Sequence, residues 1–189
     1  MASRHGAFSV AVVRRVEMAG PHRKENRRKN AMDYIRLTPE YDAAVAELIR
    51  TNLKKLHLDI PGTAYFDPEL DHLSDYYAKP GCGYYVLIDN GTVIGGIGLA
   101  ECSGFRNCCE LQKLYLADSE KGKGLGYGLV SFIEDKAREK GYRRIYLETH
   151  SSLQAAIHIY EKAGYQRIDR PVSIVHGAMD RFYLKELFS

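Results

Sequence analysis

No apolar run in this sequence approaches the roughly 18 residues that a membrane-crossing helix needs, so nothing in it calls for a membrane. Excess charge is equally scarce. Lys and Arg number 27 against 24 Asp and Glu, and a net +3 is too small to argue for a protein that grips nucleic acid. Cysteine is sparse and badly spaced for a metal. Cys82, Cys102, Cys108 and Cys109 form no Cys-x-x-Cys and have no histidine at zinc spacing, so no metal is expected. Neighbours on a strand face opposite ways, so Cys108 and Cys109 read as buried free thiols in a reducing, cytoplasmic setting. There is no repeat and no internal linker.

What the chain does hold is enough for one domain with a sizeable core: 189 residues, 45% of them hydrophobic. Its basic surplus sits at the start. Residues 1–31 carry eight Lys and Arg against Glu17 and Glu25, a net +6, which leaves residues 32–189 at −3. This leader has a short apolar stretch from Ala7 to Val13 and then the polar, basic "PHRKENRRKN", which has the composition of disordered chain. The apolar stretch is short for a secretory signal and no small-residue cleavage site follows it. Residues 1–31 are therefore read as a basic extension ahead of a domain spanning 32–189. An organelle transit peptide and an arm for acidic partners are the other readings.

Periodicity orders the domain. "DYIRLT" alternates as a strand, and Pro39 and Glu40 open a helix with apolar Val45, Leu48, Ile49 and Leu53. A second helix is expected from Pro68 to about Tyr77. "YYVLI" and "VIGGIGLAE" flank Asp-Asn-Gly-Thr, a hairpin signal because Asn-Gly suits the positive φ angles of the turn. "CELQKLYLA" is a further strand. After a glycine loop, Leu125, Leu129, Phe132, Ile133 and Ala137 mark one face of a helix that ends near Gly141. "RRIYLETH", "LQAAIHIYEKAG", "YQRID" and "RFYLKEL" then read as strand, helix, strand and strand. The result is a mixed α/β domain with a strand–loop–helix–strand–helix unit at its centre.

The loop, "EKGKGLGYGLV", packs four glycines into seven residues. It is not a Walker A loop, because no Lys-Ser or Lys-Thr follows, and it lacks the Gly-x-Gly-x-x-Gly of a dinucleotide site. Lys121, Gly122, Lys123, Gly124, Leu125, Gly126 and Tyr127 instead form a turn between strand and helix. Such a turn aims successive backbone N–H groups and a helix N-terminus at one spot, which suits a diphosphate. A plain surface turn would have the same composition.

Residues 110–165, through "ELQKLYLADSEKGKGLGYGLV", "GYRRIYLET" and "AAIHIYEKAGY", resemble the core of the GNAT superfamily of acyl-CoA-dependent N-acyltransferases. The order of elements extends the resemblance over most of residues 33–187. It implies a mixed, mostly antiparallel central sheet flanked by helices and splayed at the cofactor-binding strand. It also implies acetyl-CoA as co-substrate and a primary amine of a small molecule or peptide as acceptor. Two positions depart from the family pattern. Lys121 stands where Gln or Arg is usual, and Leu153 stands where many members carry an Asn that touches the pantetheine arm.

By the same resemblance, the main chain of Leu114 and Leu116 pairs with that arm, and one N–H there can polarise the thioester carbonyl. Glu110 matches a general-base glutamate found in part of the superfamily, and a strand-end carboxylate is the plainer reading. Tyr160 matches a tyrosine near the coenzyme sulfur, where a phenol can donate to a departing thiolate, though it also shares a packing stripe with Ala156 and Ile157. An acidic, aromatic stretch (Asp59, Asp67, Glu69, Asp71, Asp75, Tyr65, Tyr76, Tyr77) hints at a cationic acceptor. The alternative to an enzyme is a non-catalytic module that binds coenzyme A. No nucleic acid or membrane partner is expected, and a homodimer stays open.

Overall fold

Strand β2 (Gly83–Asp89) is buried on both faces, which its unbroken run of bulky residues dictates. Tyr84, Val86 and Ile88 point into one core and Tyr85 and Leu87 into the other. The sheet therefore separates two apolar layers, in a computed structural model that describes residues 33–102, 104–171 and 177–188. The expectations for residues 1–31, and for Met32 as the start of the domain, lie outside the described residues.

Seven strands run in the order β1-β2-β3-β4-β5-β7-β6. The others are β1 (Asp33–Arg36), β3 (Thr92–Glu101), β4 (Cys108–Leu116), β5 (Arg144–Thr149), β6 (Gln166–Ile168) and β7 (Arg181–Glu186). All pairings are antiparallel except β4 with β5. Helix α1 (Asp42–Lys55) covers one face through Val45, Ile49 and Leu53. Helices α3 (Leu125–Glu139) and α4 (Gln154–Lys162) cover the other through Leu129, Ile133, Ile157 and Tyr160. Lys185 on β7 clasps both carboxylate oxygens of buried Glu134 at 2.8 and 2.7 Å, which ties α3 to the sheet. The mixed, mostly antiparallel sheet flanked by helices is as expected.

The hairpin turn is also as expected, with Asn90 at φ 47° and Gly91 at φ 79°. One element differs. In place of a helix from Pro68 to Tyr77 there is a single tight turn over Leu70–His72 and then a four-residue helical turn, α2 (Leu73–Tyr76). His72 leaves the helical region at φ −139°, and the Ser74 N–H and hydroxyl are bonded by Asp42 at 2.8 and 2.5 Å. The restart still sends Leu70 and Leu73 into the core, both fully buried, so burial is kept while the helix is broken.

The feature that shapes the site is a bulge in β4. Between Gly96–Tyr115 and Gly98–Gln112 the register advances two residues on β3 and three on β4, with Lys113 at φ 51°. An extra residue bends a strand and sharpens its twist. β4 and β5 are paired only at Cys108–Arg144, Cys109–Ile145 and Glu110–Tyr146, and beyond Glu110 they diverge. This is the splay expected at the cofactor-binding strand.

Candidate active site

The parting strands open a cleft with about 660 Å³ of empty space, part of it continuous with solvent. Residues 110–115 of β4 form one wall. Glu148 and Thr149 of β5, with Leu153, Ala156 and Tyr160 at α4, form the other. Thr63, Ala64 and Leu53 close the α1 side. Glu110, Leu114 and Tyr160 are thus brought into one cavity. Leu116 lies beyond it. Its side chain packs near Gly95, where a Cβ would sit 2.6 Å from Leu116 Cδ2, and its carbonyl accepts from Asn52 Nδ2 at 3.1 Å.

Glu110 is 6% exposed and its Oε2 accepts from Gln112 Nε2 at 3.0 Å. Tyr160 is 5% exposed, with Tyr165 and Tyr183 ring centroids at 5.8 and 6.4 Å. Its hydroxyl makes no hydrogen bond to another described residue. Burial pushes this phenol well above its ordinary range, so it holds its proton at any neutral pH. Tyr115, in the same wall, is pushed up by burial first and by Tyr160 second.

The glycine loop lies at the end of β4. Gly122 and Gly124 adopt φ 79° and 81°, and an added Cβ at either would meet nothing within 4 Å. Gly124 is the residue before α3, and no side chain caps the helix and no acid sits in its first turn. The N–H groups of residues 122–126 make no hydrogen bond to another described residue, whereas that of Tyr127 bonds the Gly124 carbonyl at 3.1 Å. A bare helix end with positive-φ glycines in open space has the geometry to accept an anion, and a diphosphate would fit it. Gly126 is buried in the first turn, and Tyr127 is 42% exposed.

The two loop lysines are held to one side. Lys123 pairs with Glu120 at 3.0 Å. Lys121 bonds Asn52 Oδ1 at 2.7 Å and Asp118 Oδ1 at 2.6 Å, and Lys55 reaches the other Asp118 oxygen. Lys121 first, and Lys55 after it, hold the Asp118 carboxyl down to about 2. The backbone, not these ammonium groups, faces the cradle unpaired.

Sequence reading missed three features. Asn52, 6% exposed in the apolar stripe of α1, bonds Leu116, Leu48 and Lys121, joining helix, strand end and loop. A polar residue between Ile49 and Leu53 was the signal. Lys113, which lines the cleft, pairs with Asp67 with only 5% and 13% of the two side chains exposed. Gln112, two residues after Glu110, shares its face of β4 by strand alternation. The acidic, aromatic stretch is partly spent on structure. Asp67 faces Lys113, Asp71 takes both guanidinium nitrogens of Arg50 at 2.6 and 2.7 Å, and Tyr77 is core. His158 is exposed. Cys108 and Cys109 are buried in different clusters.

The sequence profile of the acetyltransferase (GNAT) family matches residues 50–165. The uncharacterized N-acetyltransferase YjgM of Escherichia coli K12 is 40% identical over 136 residues, covering 71% of this chain and 81% of YjgM. Among solved structures, a GNAT-family acetyltransferase from Staphylococcus aureus Mu50 superposes with a TM-score of 0.74 at 22% identity, covering 83% of this chain and 99% of that one. YncA from Salmonella typhimurium, solved with acetyl-CoA, gives 0.66 at 22% identity and covers 84% and 95%. Among the described residues no helix is long and apolar enough to cross a membrane.

Proposed function

The chain belongs to the acetyltransferase (GNAT) family, and on that premise we propose that it moves an acetyl group from acetyl-CoA to a primary amine of a small molecule or peptide, by direct attack within a ternary complex. What carries the reading is one cleft that holds Glu110 and Tyr160 together, where β4 parts from β5, beside a helix end with unpaired N–H groups. YncA, with the same fold, was solved with acetyl-CoA, which supports that co-substrate here. The four cysteines are free thiols, three of them buried, which supports a reducing, cytoplasmic setting.

Each group has one task. The N–H groups of residues 122–126 hold the diphosphate, and Lys121, Lys123 and Tyr127 frame that turn. The main chain of Leu114, with Leu116 beyond it, lines the path of the pantetheine arm. Glu110 takes a proton from the acceptor ammonium, directly or through water, so that nitrogen has a lone pair with which to attack. The Leu114 N–H steadies the charge on the carbonyl oxygen while the C–N bond forms and the C–S bond breaks. Tyr160 donates its proton to the departing sulfur and recovers one from the nitrogen. In sum the ammonium gives up two protons. One ends on the coenzyme thiol and one leaves through Glu110.

Full-length protein mixed with acetyl-CoA and a panel of primary amines (amino acids, polyamines, peptide N-termini) tests this. Free thiol and acetylated amine are expected in equal amounts. Binding of coenzyme A with no thiol released across the panel would instead identify the non-catalytic module.

A further inference from the structure

Gln112 sits opposite Gly98 in the β3–β4 register, on the strand that carries Glu110. Its Nε2 donates to Glu110 Oε2 at 3.0 Å, and its Oε1 accepts from the Tyr77 hydroxyl at 2.8 Å. Hydrogen-bond chemistry fixes both ends of this chain. An ionised carboxylate only accepts, so the amide nitrogen must face Glu110 and the amide oxygen must face Tyr77, whose hydroxyl is then the donor. Tyr77 has little freedom to do otherwise. It is 2% exposed, wedged between Tyr76 and Tyr84 with ring centroids at 4.8 and 5.2 Å. Its hydroxyl reaches Gln112 through space that Gly98 leaves open, since a Cβ there would lie 2.8 Å from Tyr77 Oη. Lys113, next along β4, cannot substitute for the amide while it is paired with Asp67.

We propose that Gln112 is the positioning residue of Glu110, held by Tyr77 so that its amide sets the direction in which the carboxylate faces the cleft. The inference rests on the reading of Glu110 as the general base. A donor aimed at a carboxylate favours its ionised form, the form a base needs. The titratable groups that face Glu110 are Tyr76 and Tyr77 from the α2 side, Tyr146 and Glu148 from β5, and Cys109 on its own strand. Gln112→Met changes none of these groups themselves, though Tyr77 loses its acceptor.

Carbon-13 NMR titration of the glutamate side-chain carboxyls in the full chain reads this without an acceptor, with the Glu110 signal assigned by its loss in Glu110→Gln. In Gln112→Met, nearly isosteric but without a donor, the Glu110 midpoint should rise by about one pH unit. The acid limb of kcat/KM should move with it for whichever panel amine turns over. Tyr77→Phe frees the amide and should move both the same way by less, which covers the case in which the first variant fails to fold. A midpoint unchanged in both variants, with Glu110→Gln slow, overturns the positioning role alone. Should Glu110→Gln turn over as fast as the wild type, the base reading falls and this inference falls with it.

Discussion

Gly124→Ala separates what the loop costs the fold from what it does for a ligand. Gly124 stands at φ 81° before α3, and its side-chain position is open space, so in the free protein an added methyl meets no neighbour. The cost to stability is conformational. The left-handed region costs a residue with a Cβ about 1–2 kcal/mol, offset in part by lost freedom of the unfolded chain. A net loss of about 1 kcal/mol lowers Tm by about 2–4 °C in a chain of this size. Gly141, after α3, has φ 83° and the same open surroundings, so Gly141→Ala should show the same fall. The two variants part on binding. A methyl at residue 124 stands where the diphosphate would meet the main chain, and losing one charge-assisted hydrogen bond is worth about 1.5–3 kcal/mol, a Kd weaker by roughly 10- to 150-fold. Gly141→Ala should bind coenzyme A as the wild type does. Differential scanning calorimetry and a coenzyme A titration on the three proteins decide it. Equal Kd values for the two variants would refute the claim that the loop main chain meets the phosphates.

Tyr160→Phe keeps the packing against Tyr165 and Tyr183, so kcat should fall by about 100-fold or more while KM for acetyl-CoA barely moves. Steady-state kinetics check this, and an unchanged kcat removes Tyr160 from the chemistry. Asn52→Leu deletes the bonds to Leu116 and Lys121 at similar volume, and KM for acetyl-CoA should rise several-fold with kcat nearly held. A fall in kcat alone would contradict the assigned link to the loop. The fold should also be sensitive to base. Burial pushes Cys109 up to about 12, and it pushes Tyr77, Tyr84, Tyr115, Tyr160 and Tyr165 up as well. Raised folded values mean the contribution is intact below the unfolded values, about 8.5 for thiol and about 10 for phenol, and is lost as pH climbs toward the folded ones. The tyrosinate absorbance of these five phenols, above that of exposed tyrosines such as Tyr127, should therefore appear together with loss of circular dichroism. Early ionisation of these phenols in a folded protein would contradict their burial.

Local signals told the most in the sequence. Asn90-Gly91 declared its turn, the apolar stripes of α1, α3 and α4 fell where burial puts them, and the glycines between Lys121 and Tyr127 marked the turn from strand to helix. What stayed hidden depends on partners far along the chain. The bulged stretch of β4 at Lys113 carries no Gly or Pro of its own to betray it and follows from how β3 and β4 register. Asp67 meets Lys113 across 46 residues, and Tyr77 meets Gln112 across 35. The missing second helix is a similar case, because Asp42 bonds the Ser74 backbone from 32 residues away and outweighs local propensity. Family likeness is what singles out Glu110 and Tyr160 as candidates. Their sharing one cleft follows from the point at which β4 leaves β5.

The central claim is that the unpaired amides of residues 122–126 receive coenzyme A. Isothermal titration of the folded, full-length protein with coenzyme A measures it most directly. The account predicts saturable heat with one molecule bound per chain, weakened in Gly124→Ala. A folded protein that gives no binding heat at several temperatures, and shows no competition by acetyl-CoA in an equilibrium dialysis control, would contradict it.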